Sequence, residues 1–417
     1  MSNWLANALQ QAGQIDDWLA PQRQAAVAQL QQSRWPNRKT EAWKYTSLHA
    51  LENARFAEPA ASTASIEPID GLAAIELHFI NGQLQALPGQ LPAGLEIASL
   101  EQAGPQQREQ AQALFAGIKP QRHLFGLVND ALAQQGVLIR INDDCSIEQP
   151  IRIVQHFSDA CQAHSRVLVD AGRHARFCLV EQFSGDAASC LTAFSEIRLA
   201  EHASCEHYRL MLQGADSITL GGCHVQLADH AALDSTLVAF GSTISRLDMD
   251  VIHAGQHANA RLNAVYLLDG KELFDLHSCI EHASAHGTTE ENVRGIVAGS
   301  GHAVFNGRIH IHRGAQKTLA ELNNANLLLS RQAEVDTKPE LEIYADDVRC
   351  AHGATVAEVD KKALYYLQSR GIALADARVM LSFGFINELV DAMPNQALAD
   401  WLRPQLRQRF AAMSSNG

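Results

Sequence analysis

Residues 200–233 read AEHASCEHYRLMLQGADSITLGGCHVQLADHAAL, and the pattern that decides the fold lies in this stretch. His202-Ala203 and His230-Ala231 stand 28 residues apart in similar turn contexts. The His-Ala pair recurs in comparable settings at His174, His257, His282 and His302, and the successive steps along the six are 28, 28, 27, 25 and 20 residues. A period in the twenties is typical of a coil of two strands and two turns that stacks on similar coils.

The segments around these repeats are short apolar runs with turn residues between them. Examples are VLIRI, RFCLVEQF and VYLLDG, and helical periodicity is missing from residue 136 to about residue 360. Short strands also build sandwiches, barrels and propellers, but the repeat favours a coil. The sequence therefore predicts a mainly β protein with a right-handed parallel β-helix (β-solenoid) over residues 136–358. Its alanines and its row of histidines are expected to fill a repeated corner.

The two ends of the chain have a different pattern. Residues 1–56 carry apolar residues at helical intervals and are predicted to be an N-terminal helical region. Residues 57–135 are predicted to be a linker and a mixed α/β segment, with a hairpin turn at Asn81-Gly82. Residues 359–417 are predicted to form a C-terminal helical domain that begins after an N-cap at Asp360.

Charge and composition exclude several kinds of partner. The 417 residues carry a formal net charge of −13, so no basic field is available to hold nucleic acid or an anionic membrane. The N-terminus has no basic start and carries two acidic residues where a signal peptide needs an apolar run. No stretch approaches the ~18 apolar residues of a membrane span. We expect a cytoplasmic protein without a membrane partner.

The cysteines do not form a recognisable cluster. None of the eight lies in a CxxC or CxC pair, so a closed four-cysteine zinc or iron–sulfur motif is absent from the sequence. In a reducing compartment most of them are expected to be buried free thiols. They are Cys145, Cys161, Cys178, Cys190, Cys205, Cys223, Cys279 and Cys350.

Motifs of catalysis are also missing. The sequence has no G-x-S-x-G elbow, no H-E-x-x-H helix and no Walker A loop. The obvious acid pair for a carbohydrate-active β-helix is Asp346-Asp347, but neighbours on a strand point to opposite faces and do not cooperate as acid and base. The prediction is a protein that is not an enzyme, with a stand-alone carbohydrate-active β-helix enzyme as the alternative.

Cys350 and His352, in YADDVRCAHGAT (344–355), are the strongest metal-ligand pair. On an extended strand both side chains point to one face, ~6.6–6.8 Å apart along the chain. Two ligands fall short of the four that a tetrahedral site needs, so the others must come from a neighbouring coil or from another chain. The alternative, two core residues at a turn, stays open at this point.

The helix predicted over 374–393 has two apolar stripes. One contains Val379, Phe383, Ile386, Val390 and Met393, and the other contains Leu381, Phe385 and Leu389. A terminal helix that is apolar on two sides needs cover on both. Either one stripe packs on its own domain and the other binds a partner, or the helix is buried between its neighbours.

Three long motifs resemble the SufB/SufD family. They are TEAWKYTSL (40–48), FNGRIHIHRGAQKTLAELNNANLLLS (305–330) and AEVDTKPELEIYADDVRCAHGATV (333–356), and LYYLQSRGI and FINELVDAM extend the likeness into the C-terminal helices. The N-terminal motif and the modest length resemble the SufD branch of the family more than the SufB branch.

This resemblance implies a non-catalytic subunit of the SufBCD iron–sulfur cluster assembly scaffold. It implies a pairing with SufB through the ends of the β-helices and with the ABC-type ATPase SufC through C-terminal helices that match about 360–393. ATP hydrolysis would then belong to SufC. The predicted partner-binding residues are Val379, Phe383, Phe385, Ile386, Leu389 and Val390.

The resemblance also gives Cys350 and His352 a role. The matching histidine of the family ligates a nascent cluster at the SufB interface, so His352, with Cys350 in support, is predicted to hold a transient iron–sulfur cluster or iron shared with SufB. No stably bound cofactor is predicted, and the subunit is expected to contribute to cluster formation and iron acquisition. A homodimer in isolation, or a SufB-type scaffold homodimer, is the narrower alternative.

Overall fold

The computed structural model describes residues 2–60 and 62–415 as a two-sheet solenoid with helices on its outer faces. The helices are α1 (Asn3–Ala12), α2 (Ala20–Gln32), α3 (His49–Glu52), α4 (Pro105–Leu114), α5 (Leu124–Leu132), α6 (Lys361–Ser369), α7 (Leu374–Asp391) and α8 (Gln396–Ser415). The first ten strands are β1 (Ile75–Ile80), β2 (Gln83–Leu84), β3 (Leu95–Ser99), β4 (Gln135–Ile141), β5 (Ile151–His156), β6 (Gln162–Ala171), β7 (Arg176–Ser184), β8 (Cys190–Leu199), β9 (Ser204–Met211) and β10 (Ile218–Leu227). The others are β11 (Ala232–Phe240), β12 (Ile244–His253), β13 (Asn259–Leu268), β14 (Leu273–His282), β15 (Thr288–Val297), β16 (His302–Ile311), β17 (Leu319–Leu328), β18 (Glu334–Ile343) and β19 (Arg349–Glu358).

From β4 onward, successive strands alternate between two sheets. The even-numbered strands β4 to β18 lie in a nine-stranded sheet, and the odd-numbered strands β5 to β19 lie in a ten-stranded sheet. Each strand pairs in parallel with the strand two further along the chain, so one coil contributes one strand to each sheet. The predicted mainly β fold with a parallel solenoid is confirmed.

The histidines mark the outside of one corner of the coil. His174, His202, His230 and His257 have φ between 57° and 58°, the left-handed conformation that turns the chain from one sheet to the other. Their rings are exposed and stack with centroids 4.7–4.8 Å apart, which matches the spacing of neighbouring strands. The alanine that follows each of them is fully buried. The expectation that both residues fill the corner is therefore wrong for the imidazoles and right for the alanines.

Two members of the predicted row do not occupy this corner. His282 is the buried last residue of β14, and His302 is the first residue of β16. The corner position continues instead through His286 and Lys317, which have φ of 62° and 61°. The repeating element is the left-handed turn position. The His-Ala pairs at His282 and His302 occur elsewhere in the coil, so the prediction that they belong to the row is wrong.

Each sheet is covered on its outer face by helices from one end of the chain. Helices α1 and α5 pack against apolar side chains of β8, β10 and β12 in the nine-stranded sheet. Helices α7 and α8 pack against those of β7 to β15 in the ten-stranded sheet. Among the helices in the described part of the chain, none has both the length and the apolar character that crossing a bilayer requires.

The two ends of the solenoid are built differently. At the N-terminal end, β3 pairs antiparallel with β4, and β2 pairs antiparallel with β1 through the predicted hairpin at Asn81 and Gly82, whose φ values are 49° and 79°. At the other end, β18 and β19 are the last strands of their sheets, and no described residue pairs with their outer edges. We call these the closed end and the open end.

Candidate functional site

Cys350 and His352 lie on β19, at the open end. Their register partners on β17 are Ala320 and Leu322, both fully buried in the interior of the solenoid. Paired positions of parallel, in-register strands point to the same face, so Cys350 and His352 also point to the interior side of their coil. No further coil covers them, and Cys350 is half-buried while His352 is exposed. The segment is thus an extended strand and not a turn, and both side chains lie on one face of it.

The pair has a ligand chemistry that is not satisfied within this chain. Partial burial raises the pKa of the Cys350 thiol, so the sulfur keeps its proton at neutral pH until a metal ion displaces it. Three groups of three or more potential ligand residues lie within 4.8 Å among the described residues, and neither Cys350 nor His352 belongs to any of them. The structure brings the two residues together on one face, and the role as cluster ligands stays a prediction.

The open end exposes apolar side chains that elsewhere in the solenoid would be core. Ile343 on β18 and Val356 on β19 face the interior side, as their partners Ile311 and Asn326 do, yet they are 41% and 45% exposed. Tyr344, next to Ile343, is 58% exposed. A layer of apolar side chains left uncovered is typical of a surface that another molecule covers.

The acid pair considered for a carbohydrate-active enzyme does not lie on a strand. The expectation that its two side chains point to opposite faces of a strand is therefore wrong. Asp346 and Asp347 are in the turn between β18 and β19. Asp347 forms an ion pair with Lys317, and its backbone N–H donates to Gln316 Oε1 at 2.9 Å. This carboxylate therefore helps to close the corner.

The six residues predicted to bind a partner divide into two groups. Ile386, Leu389 and Val390 are buried in the core that α7 shares with α8 and the ten-stranded sheet. Val379, Phe383 and Phe385 are partly buried at the margin of that core. The arginine side chains of Arg407 and Arg294 lie 5.3 Å and 5.8 Å from the ring centroids of Phe383 and Phe385.

A more exposed apolar surface lies beside them and was missed in the sequence. Tyr365 and Tyr366 on α6 are 73% and 57% exposed, and Met380 on α7 is 59% exposed. The signal available in the sequence was the pair of adjacent tyrosines on the predicted helix. The structure adds that no residue of α6 is buried.

Two family models match this chain over adjacent segments. The first describes a SufBD protein N-terminal region and matches residues 9–153. The second describes the SufBD core domain of the SUF system for FeS cluster assembly and matches residues 154–385. The open end and most of α7 lie inside the second match.

Relatives resemble the chain over nearly its whole length. An iron-sulfur cluster assembly protein SufD from Escherichia coli is 30% identical over 405 residues, which cover 94% of this chain and 93% of that protein. An iron-sulfur cluster assembly SufBD family protein from Synechocystis is 27% identical, with 94% and 91% covered. An iron-sulfur cluster assembly protein SufD from Bacillus subtilis is 25% identical, with 90% of each chain covered.

Proposed function

This chain belongs to the SufBD family of iron–sulfur cluster assembly proteins, and we propose that it is the SufD-type, non-catalytic subunit of a cytoplasmic SufBCD scaffold. The observation that carries the proposal is the open end of the solenoid. It presents half of a ligand set, Cys350 and His352, beside an uncovered apolar layer.

The partner at the open end is proposed to be SufB. Strands β18 and β19 leave backbone N–H and C=O groups unpaired along their outer edges, and such edges bind further strands. A second β-helix that docks there would also cover Ile343 and Val356. At the closed end the edge strands β2 and β3 have only two and five residues, whereas β18 and β19 have ten each, so the open end offers the longer edges for pairing.

The chemistry of the site follows from its two ligands. His352 offers a ring nitrogen to iron, and Cys350 offers a thiolate once its proton has left. Iron, or the nascent cluster, is the cargo of this site. A tetrahedral iron needs two more ligands, which a cysteine and other groups of SufB would supply across the interface. His352 is the main ligand because it is the more exposed of the two.

A second observation supports a link to the ATPase SufC. Only two residues lie between Glu358, the last residue of β19, and Lys361, the first residue of α6. Because this connection is short, a movement of α6 would be transmitted directly to β19, the strand that carries His352. We propose that SufC binds the exposed Tyr365, Tyr366 and Met380 together with the margin of α7, while the buried part of α7 anchors the helix. ATP-driven movement of SufC would then open the interface to iron and sulfur.

The test is the content of the co-expressed complex. We expect His352→Ala to leave the SufB and SufC stoichiometry unchanged and to lower iron and acid-labile sulfide at least tenfold, with a smaller loss for Cys350→Ala. His202→Ala is the matched control, because it removes an exposed imidazole from the distant corner row. Unchanged iron and sulfide in His352→Ala would contradict the proposal.

A homodimer is the second possibility that the open end supports. Two copies that meet there would bring two Cys350 and two His352 side chains together, which is a full set of four ligands. Sedimentation of the chain alone and with SufB separates the two pairings. A homodimer that SufB does not dissociate would favour the SufB-type scaffold over the SufD-type subunit.

A further inference from the structure

A buried group of imidazole and carboxylate side chains lies between the nine-stranded sheet and helix α5. His224 on β10 and Asp250 on β12 are register partners in adjacent strands. His123 is the residue immediately before α5, whose Leu124 and Phe125 pack onto the same sheet. The His224 and Asp250 side chains are 0% and 6% exposed, and that of His123 is 10% exposed. Two strands and a helix start thus hold the three groups together.

The three side chains have the spacing of a shared ion. Asp250 Oδ2 lies 2.8 Å from His123 Nε2 and 2.8 Å from His224 Nδ1. One ligand atom from each residue lies within 4.8 Å of the others. Ligand atoms that sit about 2.1 Å from one ion at right angles are about 3 Å apart, so only small movements would close the site on a metal.

The second ring nitrogen of His224 has no partner among the described residues. The ring is fully buried, Nδ1 lies against Asp250, and Nε2 has no hydrogen-bond partner. A buried ring nitrogen without a partner is rare, and a bound ion is one arrangement that would satisfy it.

The charges around the group leave Asp250 available to a cation. Two other carboxylates, those of Asp248 and Asp275, are neutralised by Arg246. Its guanidinium nitrogens lie 2.9 Å from an oxygen of Asp248 and 2.8 Å from an oxygen of Asp275. Asp250 pairs through its other oxygen with Arg122, whose side chain is 51% exposed at the rim. Arg122 can therefore move into solvent when a cation binds.

A cavity of about 170 Å³ opens beside the group. Its walls include His123, Asp250 and Cys279, and Cys279 is the register partner of Asp250 on β14. Two imidazoles and one carboxylate with open positions towards a cavity are the donor set of divalent iron and zinc sites.

We propose that His123, His224 and Asp250 bind one divalent transition-metal ion of the Fe²⁺ or Zn²⁺ class. The site lies on the outer face of the nine-stranded sheet, whereas Cys350 and His352 lie on β19 of the other sheet. The two sites can therefore be tested separately.

Cobalt(II) is the probe, because its visible absorption reports coordination by nitrogen and oxygen ligands. Full-length protein titrated without oxygen is expected to bind one tight equivalent. Asp250→Asn and His224→Gln are expected to weaken that binding at least 100-fold, whereas His352→Ala and His202→Asn keep it. Fe²⁺ and Zn²⁺ are expected to displace the cobalt. Loss of the tight equivalent only in His352→Ala or His202→Asn, or its retention in Asp250→Asn, would overturn the proposal.

A second measurement needs no variant and so does not depend on their folding. Cys279 lines the same cavity and is partly exposed, and Cys145 is partly exposed at a distant corner. One equivalent of Zn²⁺ is expected to slow alkylation of Cys279 at least tenfold and to leave Cys145 unchanged. Equal alkylation of Cys279 with and without Zn²⁺ would contradict the site.

Discussion

The closed end and the open end of the solenoid end the same two sheets in opposite ways. At the closed end, antiparallel strands pair with the first coils, and Phe79 of β1 is fully buried. At the open end, β18 and β19 carry half-exposed apolar side chains on the face that would be interior in any other coil. One end therefore buries its apolar side chains within the chain, whereas the other leaves apolar side chains of its interior face exposed.

The largest effect is expected from a cavity at the closed end. Phe79→Ala removes a fully buried ring and should lower the free energy of unfolding by about 3–5 kcal/mol. Val356→Ala at the open end is the matched truncation and should stay within about 0.5 kcal/mol in the isolated chain. Urea unfolding measures both, and equal losses would show that the two ends are packed alike.

A smaller effect is expected from a carboxyl group that is buried inside the middle coils of the solenoid. Burial raises the pKa of Glu291 to about 7, above its value in the unfolded chain, so the folded state binds more protons between about pH 4.3 and 7. Stability is therefore lost as the pH rises through that window. Glu291→Gln should stabilise the protein by roughly 2–3 kcal/mol at pH 8 and little at pH 4.

Glu358→Gln is the control for this prediction at the open end. Glu358 occupies an interior-side position of β19 but is exposed, so its substitution should not change stability at either pH. If Glu291→Gln raises the free energy of unfolding no more at pH 8 than at pH 4, then water reaches the interior of the middle coils as it reaches the open end.

The smallest effect concerns two imidazoles that are buried inside the middle coils of the solenoid. Burial lowers the pKa of His253 to about 4 and that of His282 to about 2, and both rings share Thr289 Oγ1 at 3.1 Å and 3.0 Å. The unfolded chain binds more protons below about pH 6.5, so their stabilising contribution is present above that pH and is lost as the pH falls. His253→Gln should reduce the loss of stability between pH 7.5 and 5.5 by about 1 kcal/mol, as measured by urea unfolding. An unchanged pH dependence would contradict it.

The repeat in the sequence was enough to predict the coil but not its register. Ala175, Ala203, Ala231 and Ala258 are fully buried, as a repeated small residue suggests. The residue before them is exposed because a left-handed turn points its side chain outward, and this turn also accepts His286 and Lys317. A backbone conformation repeats here more faithfully than a dipeptide does, which is why His282 and His302 were misplaced.

The candidate sites were predictable to different degrees. Alternation along one strand was sufficient to place Cys350 and His352 on one face, because that relation is local. The group of His123, His224 and Asp250 was missed because its members come from a helix start and two strands, and only the strand register pairs His224 with Asp250. On α7, periodicity marked the apolar positions but could not divide those covered by α8 from those left at the margin.

The stacking of coils also sets distances in whole steps. Asp250 on β12 is three strands away from β18, the edge of its sheet, which is roughly 14 Å at about 4.8 Å per strand. Adding or deleting one complete coil would move that edge by a single step, without changing the face on which either site lies. The number of coils therefore sets the distance between the group of His123, His224 and Asp250 and the open end, where we propose that the chain meets its partner.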